Sequence, residues 1–330
     1  MAKKISTIGT IAGAVLVLLL ILAACFADAL TNHDPIEMSI ADRLSPPSST
    51  YPFGTDNMGR DIQTRIVYGL RTNIGVGALA ALMALIVGGM LGVAAGLLGG
   101  MTNKAVVCLA RFLAAGPGVL LVFVVLPAIG FSSFNSAIAI SILLVPSFIH
   151  VIRGVVLFLS DTGSSEDKRA LKALGAVAAR ISSSVALAML VMAGLGYLGI
   201  GAQPPTPELG AMFAAGREFF RTATHLVTYP GLALFVSVIP FHLLGGSLNR
   251  LLLAKGYDEA APTGPIGGIL TGSPQAAPPS PFFSAPAPSG SSFTSASPGS
   301  QFSPDASSLG SHYVPTQDSP VDSSSQSSFF

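Results

Sequence analysis

The stretch YPFGTDNMGRDIQTRIVYGLRTNIGVG, residues 51–77, decides the fold, because there a polar, charge-bearing segment gives way to a long apolar run. Half of the 330 residues are hydrophobic and only 10% are charged. An ordinary soluble domain carries about 25% charged residues. The composition therefore indicates a membrane protein, and the quoted stretch leads into one of its membrane-spanning segments.

Apolar runs of membrane-spanning length recur along the chain. A hydrocarbon core about 30 Å thick requires roughly 20 apolar residues of α-helix. Runs that meet this requirement lie near residues 8–27, 74–98, 105–129, 136–159, 181–202 and 228–253. The sequence predicts an all-α, polytopic membrane protein with about six transmembrane helices, contained in a domain of residues 1–257.

Residues 258–330 differ in composition from this domain. They are rich in Pro, Ser, Gly and Ala and show no hydrophobic periodicity, so we expect a disordered C-terminal tail. The tail carries two Phe-Phe pairs, Phe282-Phe283 and Phe329-Phe330. Short docking motifs are one interpretation of these pairs, and passive disorder is the simpler one.

Basic residues predict which way the helices run. Membrane proteins concentrate Lys and Arg in their cytoplasmic loops. Most basic residues of this chain precede the first predicted span, lie between the second and third or the fourth and fifth, or follow the sixth. They are Lys3, Lys4, Lys104, Arg111, Lys168, Arg169, Lys172, Arg180, Arg250 and Lys255. All fall on one side if both termini are cytoplasmic, which places residues 51–61 outside.

The residues do not assemble into a recognisable catalytic or metal site. Both cysteines, Cys25 and Cys108, lie in apolar runs, so the sequence supports neither a disulfide framework nor a thiolate metal site. It lacks the Gly-x-x-x-x-Gly-Lys-Ser/Thr phosphate loop, so we expect no enzyme activity here and any ATPase on another polypeptide. One alternative stays open: residues 22–25, Leu-Ala-Ala-Cys, fit a bacterial lipobox that would leave Cys25 lipidated.

Three glycines in the second predicted span recur every four residues. Gly88, Gly92 and Gly96 lay a smooth strip along one helix face, which lets another backbone approach closely. This strip could line a pore or contact another subunit. Packing within the chain is the simpler interpretation.

Two external segments resemble a known family. The first, PFGTDNMGRDIQTRIVYGLR, is similar to the Phe-Gly-Thr-Asp-x-x-Gly-Arg-Asp segment of the permease subunits of dipeptide, oligopeptide and nickel ABC importers. The second, LGYLGIGAQPPTPELGAMFAAGREFF at residues 195–220, resembles the family's Leu-Gly-x-Gly-x-Gln-Pro-Pro-x-Pro segment. The resemblance covers roughly residues 8–255.

This resemblance implies a function and a set of partners. It implies a multi-pass permease subunit in the bacterial inner membrane, through which peptides or a similar small solute are imported. The expected partners are a second permease, two ATPase subunits that bind the ATP, and an external solute-binding protein. No cofactor or metal is expected in this chain. The resemblance does not identify the solute.

The external segments supply two sets of candidate residues. We expect the first to form an interfacial elbow, a short helix capped by Thr55 or Asp56. This elbow faces the binding protein or is held by a local charge network, and its residues are Phe53, Gly54, Thr55, Asp56, Gly59, Arg60 and Asp61. The second set cannot continue a helix because it is proline-rich, and the resemblance makes it part of an external gate. Its residues are Gln203, Pro204, Pro205 and Pro207.

The ATPase-coupling loop departs from the family pattern Glu-Ala-Ala-x-x-x-Gly. The matching residues here are Arg169, Ala170, Leu171, Lys172, Leu174 and Gly175. The acidic position therefore holds Arg169, although an amphipathic coupling helix is still expected, with Leu171, Leu174 and Ala178 on one face and a basic face on the other, made by Lys168, Arg169 and Lys172. The stretch with His-x-Leu-Pro that normally follows is absent, which leaves only 181–202 for the fifth span. A diverged, non-transporting scaffold is the alternative function.

Ionisable groups also occur inside the predicted spans. His150 and Arg153 lie one turn apart near the cytoplasmic end of the fourth span. Such groups often mark a transport path, whereas an arginine near a helix end also reaches the interface simply by extending its side chain. His242, in the sixth span, should face protein or water. The roles of His150 and His242 stay open.

Overall fold

The computed structural model describes residues 2–116, 118–160 and 166–253, and no strand occurs among them. The first helices are α1 (Ala2–Cys25), α2 (Ala27–Leu30), α3 (Ile62–Leu98), α4 (Gly100–Ala115) and α5 (Gly118–Ile129). They are followed by α6 (Ser133–Ser160), α7 (Glu166–Tyr197), α8 (Leu209–Gly216) and α9 (His225–Leu253). The all-α prediction is confirmed. The predicted tail, residues 258–330, and Pro117 lie outside the described residues.

Five of these helices, α1, α3, α6, α7 and α9, are long and apolar enough to cross a membrane. Helices α4 and α5 together would make a sixth span, but they are bent by 87° where one continuous span near 105–129 was predicted. In the sequence, Gly116 and Pro117 separate the two halves, and a proline can kink a helix. The predicted count of about six therefore holds only when this bent pair is one span.

Helix α3 corrects the prediction of a separate elbow helix. It runs without interruption through 37 residues, about 55 Å, which exceeds the roughly 30 Å of a hydrocarbon core. The predicted elbow residues, 53–61, therefore form a loop that leads directly into the span, and this loop is called the elbow from here on. The predicted cap was also wrong: Asp61 caps the helix by accepting hydrogen bonds from the Gln63 and Thr64 amides.

Helix α7 corrects the prediction of a short fifth span. It begins at Glu166, and 29 of its residues, Arg169–Tyr197, form the candidate span. The predicted coupling segment is thus continuous with the fifth span. Residues 166–197 are rich in Ala and Leu, which favour helix, and the polar Ser182 and Ser184 between them do not break it. The chain therefore has ample length to cross at this point.

The glycine strip packs against α6. Methyl groups built at Gly88 and Gly92 would lie 2.7 and 2.9 Å from the carbonyl oxygens of Val145 and Ile149, and one at Gly96 would lie 2.6 Å from Val156. These positions require glycine because α3 and α6 approach backbone to backbone. Within this chain the strip therefore serves intramolecular packing.

The connections between α1 and α3 and between α7 and α9 lie at one end of the helix bundle, here called the loop end. A small core joins them, in which Ile62 and Ile66 of α3 pack with Leu209 and Met212 of α8 and with Leu226 of α9. The connection from α6 to α7 lies at the opposite end, since α6 runs parallel to α3: Gly88, Gly92 and Gly96 pack in order against Val145, Ile149 and Val156.

Candidate functional site

The predicted elbow residues form a bonded network at the loop end. The Asp56 carboxylate lies 2.7 Å from Arg60 Nε and 3.5 Å from Arg65 Nε. It also accepts hydrogen bonds from the backbone amides of Met58 and Arg60. Arg65 in turn donates from Nη1 to the Pro35 carbonyl at 2.9 Å. Because these charges are largely buried and engaged, they hold the loop in shape.

Thr55 and its neighbours attach this loop to the rest of the loop end. The fully buried Thr55 hydroxyl accepts a hydrogen bond from Ser45 N at 2.9 Å and donates to the Asp42 carbonyl. His225 Nε2 lies 3.3 Å from the Thr55 carbonyl oxygen. The Phe53 ring stacks on Tyr229, with centroids 4.4 Å apart. The elbow is thereby fixed to the start of α9 as well as to α3.

Two glycines of the elbow are required by its backbone. Gly54 and Gly59 have φ values of +77° and +76°, which L side chains rarely adopt. A methyl group at Gly59 would also lie 1.8 Å from the Ser39 carbonyl oxygen. The Phe-Gly-Thr-Asp-x-x-Gly-Arg-Asp pattern is therefore explained here by turn geometry, capping and ion pairing.

The predicted gate residues lie between α7 and α8. Gln203, Pro204 and Pro205 are exposed and Pro207 is buried. The Gln203 side chain donates from Nε2 to the carbonyls of Gly199 and Gly201 at 3.2 and 3.1 Å. The segment is thus a folded loop over the end of α7, as its prolines predicted.

Sequence reasoning missed Glu208, which is completely buried where α3, α7 and α8 meet. Its carboxylate oxygens accept hydrogen bonds from the Gly210 and Ala211 amides at 2.9 and 2.7 Å and so cap α8. A methyl group at Gly196 of α7 would lie 1.6 Å from Glu208 Oε2. An acidic residue just before an apolar helical run is a capping signal, but its burial is not visible in the sequence.

Burial is the main influence on the Glu208 carboxyl, and it raises the pKa above the usual value. The two amide hydrogen bonds and the nearby Asn73 side chain oppose this shift. Asn73 on α3 is itself completely buried, and neither its Nδ2 nor its Oδ1 makes a hydrogen bond of good geometry. Glu208 and Asn73 thus form a tightly enclosed polar contact between the gate loop and α3.

Arg71 lies between two cavities near the loop end. A cavity of about 370 Å³ is lined by Arg71 and Thr72 of α3, Ser133 and Phe134 of α6, and Thr206 of the gate loop. A second, of about 280 Å³, lies on the α1 side and is lined by Ile21, Ala24, Cys25, Arg71, Ile74 and Gly75. The guanidinium is 54% exposed, and its Nη1 lies 3.8 Å from Asp28 Oδ2.

At the opposite end, α7 begins with an exposed apolar surface. Leu171 and Leu174 are 69% and 68% exposed, and Ala170 and Ala178 are exposed beside them. The predicted Leu171–Leu174–Ala178 face therefore exists on the helix. We call Ala170, Leu171 and Leu174 the α7 apolar face.

The predicted basic face of this segment is only partly present. Arg169 is buried and its Nε has no hydrogen-bond partner, contrary to the expectation that it lies on an exposed basic face. The difference arises because Ala173 and Ala176 pack against Val151 and Val155 of α6, which turns Arg169 inward. Lys172 Nζ lies 6.0 Å from the centre of the Phe158 ring, and Gly175 is partly buried.

The ionisable groups inside the spans have separate surroundings. Arg153 donates from Nε to Asn103 Oδ1 at 2.6 Å, which ties α6 to α4 and favours a structural role. His150 is half-buried, and His242 is exposed on α9. Cys25 and Cys108 are exposed thiols, and the described residues contain no cluster of three or more His, Cys, Asp or Glu.

Comparison with known proteins assigns the class. No family model matches the chain. It is 32% identical to the glutathione transport system permease protein GsiD of Pectobacterium atrosepticum, over 74% of this chain and 86% of that protein. It is 36% identical to the dipeptide transport system permease protein DppC of Alkalihalophilus pseudofirmus, over 74% and 85%. It is 30% identical to the probable D,D-dipeptide permease protein DdpC of Escherichia coli, over 74% and 87%.

A bundle of apolar helices with relatives of this kind defines a multi-pass transport permease of the inner membrane. The chain belongs to the family of permease subunits of dipeptide- and glutathione-type ABC importers. It is accordingly a transmembrane subunit of an importer that contains further subunits. The alternative of a non-transporting scaffold is not favoured by these relatives.

Proposed function

We propose that the chain conducts a peptide or a similar small solute inward, driven by ATP that two separate ATPase subunits bind. The remaining partners are a second permease subunit and an external solute-binding protein. The names of the relatives, which include dipeptide and glutathione permeases, support the solute class. The α7 apolar face is the observation that supports coupling to an ATPase. Its exposed leucines, beside the basic residue Lys172, form a surface that favours contact with another protein.

The continuity of α7 supplies a mechanical connection for this coupling. Leu171 and Gly196 belong to one helix and are about 38 Å apart along its axis. Gly196 is packed against Glu208, which caps α8 behind the gate loop. If an ATPase displaces the α7 apolar face, the continuous helix would therefore transmit the movement to Gly196 and Glu208, on which the gate loop rests.

The orientation in the membrane follows from the basic residues. The end opposite the loop end carries Lys104 and Arg111 on α4, Lys172 on α7 and Arg250 on α9. At the loop end, Arg60 and Arg65 share the carboxylate of Asp56, and Arg71 lies beside Asp28. Positive charge favours the cytoplasmic side, so we propose that the loop end is external and both termini are cytoplasmic.

The elbow then faces the external binding protein. Its charged groups are hydrogen-bonded or ion-paired within the chain, so we propose that they hold the shape of the surface that the binding protein contacts. Met58, at the tip of the Asp56–Arg60 turn, is 45% exposed and available for contact. Phe53 and Asp61 fix the two ends of this turn by stacking and capping.

A second permease has a suitable surface on α9. Leu232, Phe235, Val236 and Leu243 are exposed along the same side of the helix as His242. A histidine within a span is costly to leave in lipid. We propose that this side of α9 contacts the second permease, which would cover His242.

A co-purification experiment tests the coupling. Membranes carrying the tagged chain should yield ATPase subunits, and the double variant Leu171→Asp with Leu174→Asp should lose them, because two carboxylates cannot be buried in an apolar contact. Leu98→Asp is the matched control, since Leu98 is equally exposed and lies at the same end of the bundle. Equal recovery of ATPase with the double variant, or none with the unmodified chain, would contradict the proposal.

A further inference from the structure

Arg71 holds an unusual position for a cation. It lies nine residues into α3, about 14 Å from Ile62 along a helix of about 55 Å, and therefore close to the external boundary of a hydrocarbon core about 30 Å thick. An ionisable side chain that close to the core requires protein or water beside it. Arg71 meets this requirement by lining both cavities near the loop end.

The protein engages Arg71 only weakly. A guanidinium has five N–H donors. Its one ion pair among the described residues is with Asp28 at 3.8 Å, where the side chains are 54% and 73% exposed. Asp28 is also hydrogen-bonded by the Tyr68 hydroxyl. The geometry therefore leaves most of the guanidinium donors directed toward solvent or a ligand.

The larger cavity has the features of a small-solute site. It is a depression open to the protein surface, with a volume of about 370 Å³, large enough to hold a small molecule. Val76 and Leu79 provide apolar walls, and the hydroxyls of Ser133 and Thr206 line it together with Arg71. Because Thr206 belongs to the predicted gate loop, this cavity lies where a solute entering through the gate would pass.

We propose that Arg71 binds a carboxylate of the transported solute in this cavity, so that the permease itself selects small solutes with a free carboxyl group. Arginine suits this role because its planar fork matches a carboxylate with two parallel hydrogen bonds. The proposal rests on the proposed function for the direction from which the solute enters. A lipid phosphate is the other anion that would pair with this guanidinium, and the choice of nanodisc lipid in the test below distinguishes the two sources.

A protection experiment tests this site without any ATPase. The chain is prepared with Cys25→Ser, Cys108→Ser and Thr206→Cys in nanodiscs of phosphatidylcholine, and its labelling by a maleimide is timed. The dipeptide L-alanyl-L-alanine should slow the labelling, and its C-terminal amide should not. In Arg71→Gln the dipeptide concentration needed for protection should rise about tenfold or more, as for loss of a hydrogen bond to a charged group.

Two further variants sharpen the result. Arg221→Gln is the matched control, because Arg221 is an exposed arginine near the loop end that does not line the cavity. It should leave protection unchanged. Asp28→Asn removes the carboxylate that competes for Arg71, so it should lower the dipeptide concentration needed for protection.

Several outcomes would overturn the carboxylate site. These are equal protection by the acid and the amide, protection that persists in Arg71→Gln, and no protection at all. Protection without dipeptide in nanodiscs of phosphatidylglycerol, lost in Arg71→Gln, would instead assign the site to a lipid headgroup. If dipeptide protection is observed while ATPase subunits fail to co-purify, the proposed ATP-driven import fails and the carboxylate site stands.

Discussion

Gly59 illustrates how one residue fixes the elbow. Its φ of +76° and the 1.8 Å separation of a built methyl group from the Ser39 carbonyl impose two independent requirements. The backbone strain alone costs about 1–2 kcal/mol for a non-glycine residue. The clash adds to this cost because a backbone carbonyl cannot rotate away as a side chain can.

The variant Gly59→Ala should therefore lower the melting temperature of the purified protein markedly. Gly99→Ala separates the two causes, because Gly99 has a φ of +59° but open space around its built methyl group. It should show only the strain, about 1–3 kcal/mol, because a φ of +59° with a ψ of −150° is a conformation that almost only glycine adopts. Equal losses in the two variants, measured by thermal unfolding in detergent, would show that the contact with Ser39 does not matter.

Glu208 should make the stability of the folded protein depend on pH, and the burial of its carboxyl determines the direction of that dependence. Burial raises the pKa of its carboxyl in the folded protein above the ordinary value. The folded state then binds the proton more tightly than the unfolded chain. The protonated Glu208 carboxyl therefore stabilises the folded state fully at pH values below its pKa in the unfolded chain. This stabilisation falls as the pH rises toward its pKa in the folded protein and is lost above that pKa.

The variant Glu208→Gln lacks this titration. Its melting temperature relative to the unmodified protein should therefore rise as the pH is increased from below the ordinary glutamate range to neutrality. Glu208→Ala removes the cap of α8 as well and should cost about 1 kcal/mol or more at every pH. A difference between Glu208→Gln and the unmodified protein that does not change with pH would contradict the assignment.

At the scale of elements, α7 is the helix on which the proposed mechanism depends. A proline at Ala178 would remove a backbone hydrogen bond and break the helix between the α7 apolar face and the gate. We expect Ala178→Pro to retain ATPase subunits on co-purification but to lose uptake of a labelled dipeptide into proteoliposomes of the complex. Asp167→Pro, in the first turn of α7 where proline is tolerated, should retain both.

Uptake that survives Ala178→Pro would show that a continuous α7 is not needed. Loss of the ATPase subunits together with uptake would show that the substitution disturbs the α7 apolar face itself. The two properties measured, ATPase retention and uptake, therefore distinguish a broken helical connection from a disturbed ATPase-binding surface.

The helices themselves could be predicted from apolar runs because each span needs a minimum length. Their ends could not. Arg65 and Thr72 lie before the predicted second span and Arg169 before the predicted fifth, yet all three belong to the continuous helices α3 and α7. The Thr72 hydroxyl, for example, donates to the Tyr68 carbonyl one turn earlier. Tertiary packing, not local sequence, decides where such helices begin.

The candidate residues likewise divide into those whose surroundings could be predicted from the sequence and those whose surroundings could not. The turn glycines and the proline-rich loop were predictable, because their backbone requirements are local. The inward rotation of Arg169 and the burial of Glu208 were not, since both depend on helices distant in sequence. Arg71 was passed over because nothing in the sequence shows which face of a 37-residue helix borders a cavity.

At the scale of the whole molecule, the proposed import mechanism requires that α7 crosses the membrane with its apolar face in the cytoplasm and the gate loop outside. Every proposed contact depends on this topology. The ATPase subunits must reach Leu171, the binding protein must reach the elbow, and the solute must enter beside Thr206. Single-cysteine labelling at the two ends of α7 therefore tests the proposed topology most directly.

In a background of Cys25→Ser and Cys108→Ser, we compare Leu171→Cys with Leu198→Cys, whose parent side chains are 69% and 57% exposed. An impermeant maleimide added to intact spheroplasts should label Leu198→Cys and spare Leu171→Cys. In inverted vesicles washed free of peripheral proteins the pattern should reverse. Labelling of both positions from the same side of the membrane would show that α7 does not cross, and would contradict the proposed mechanism.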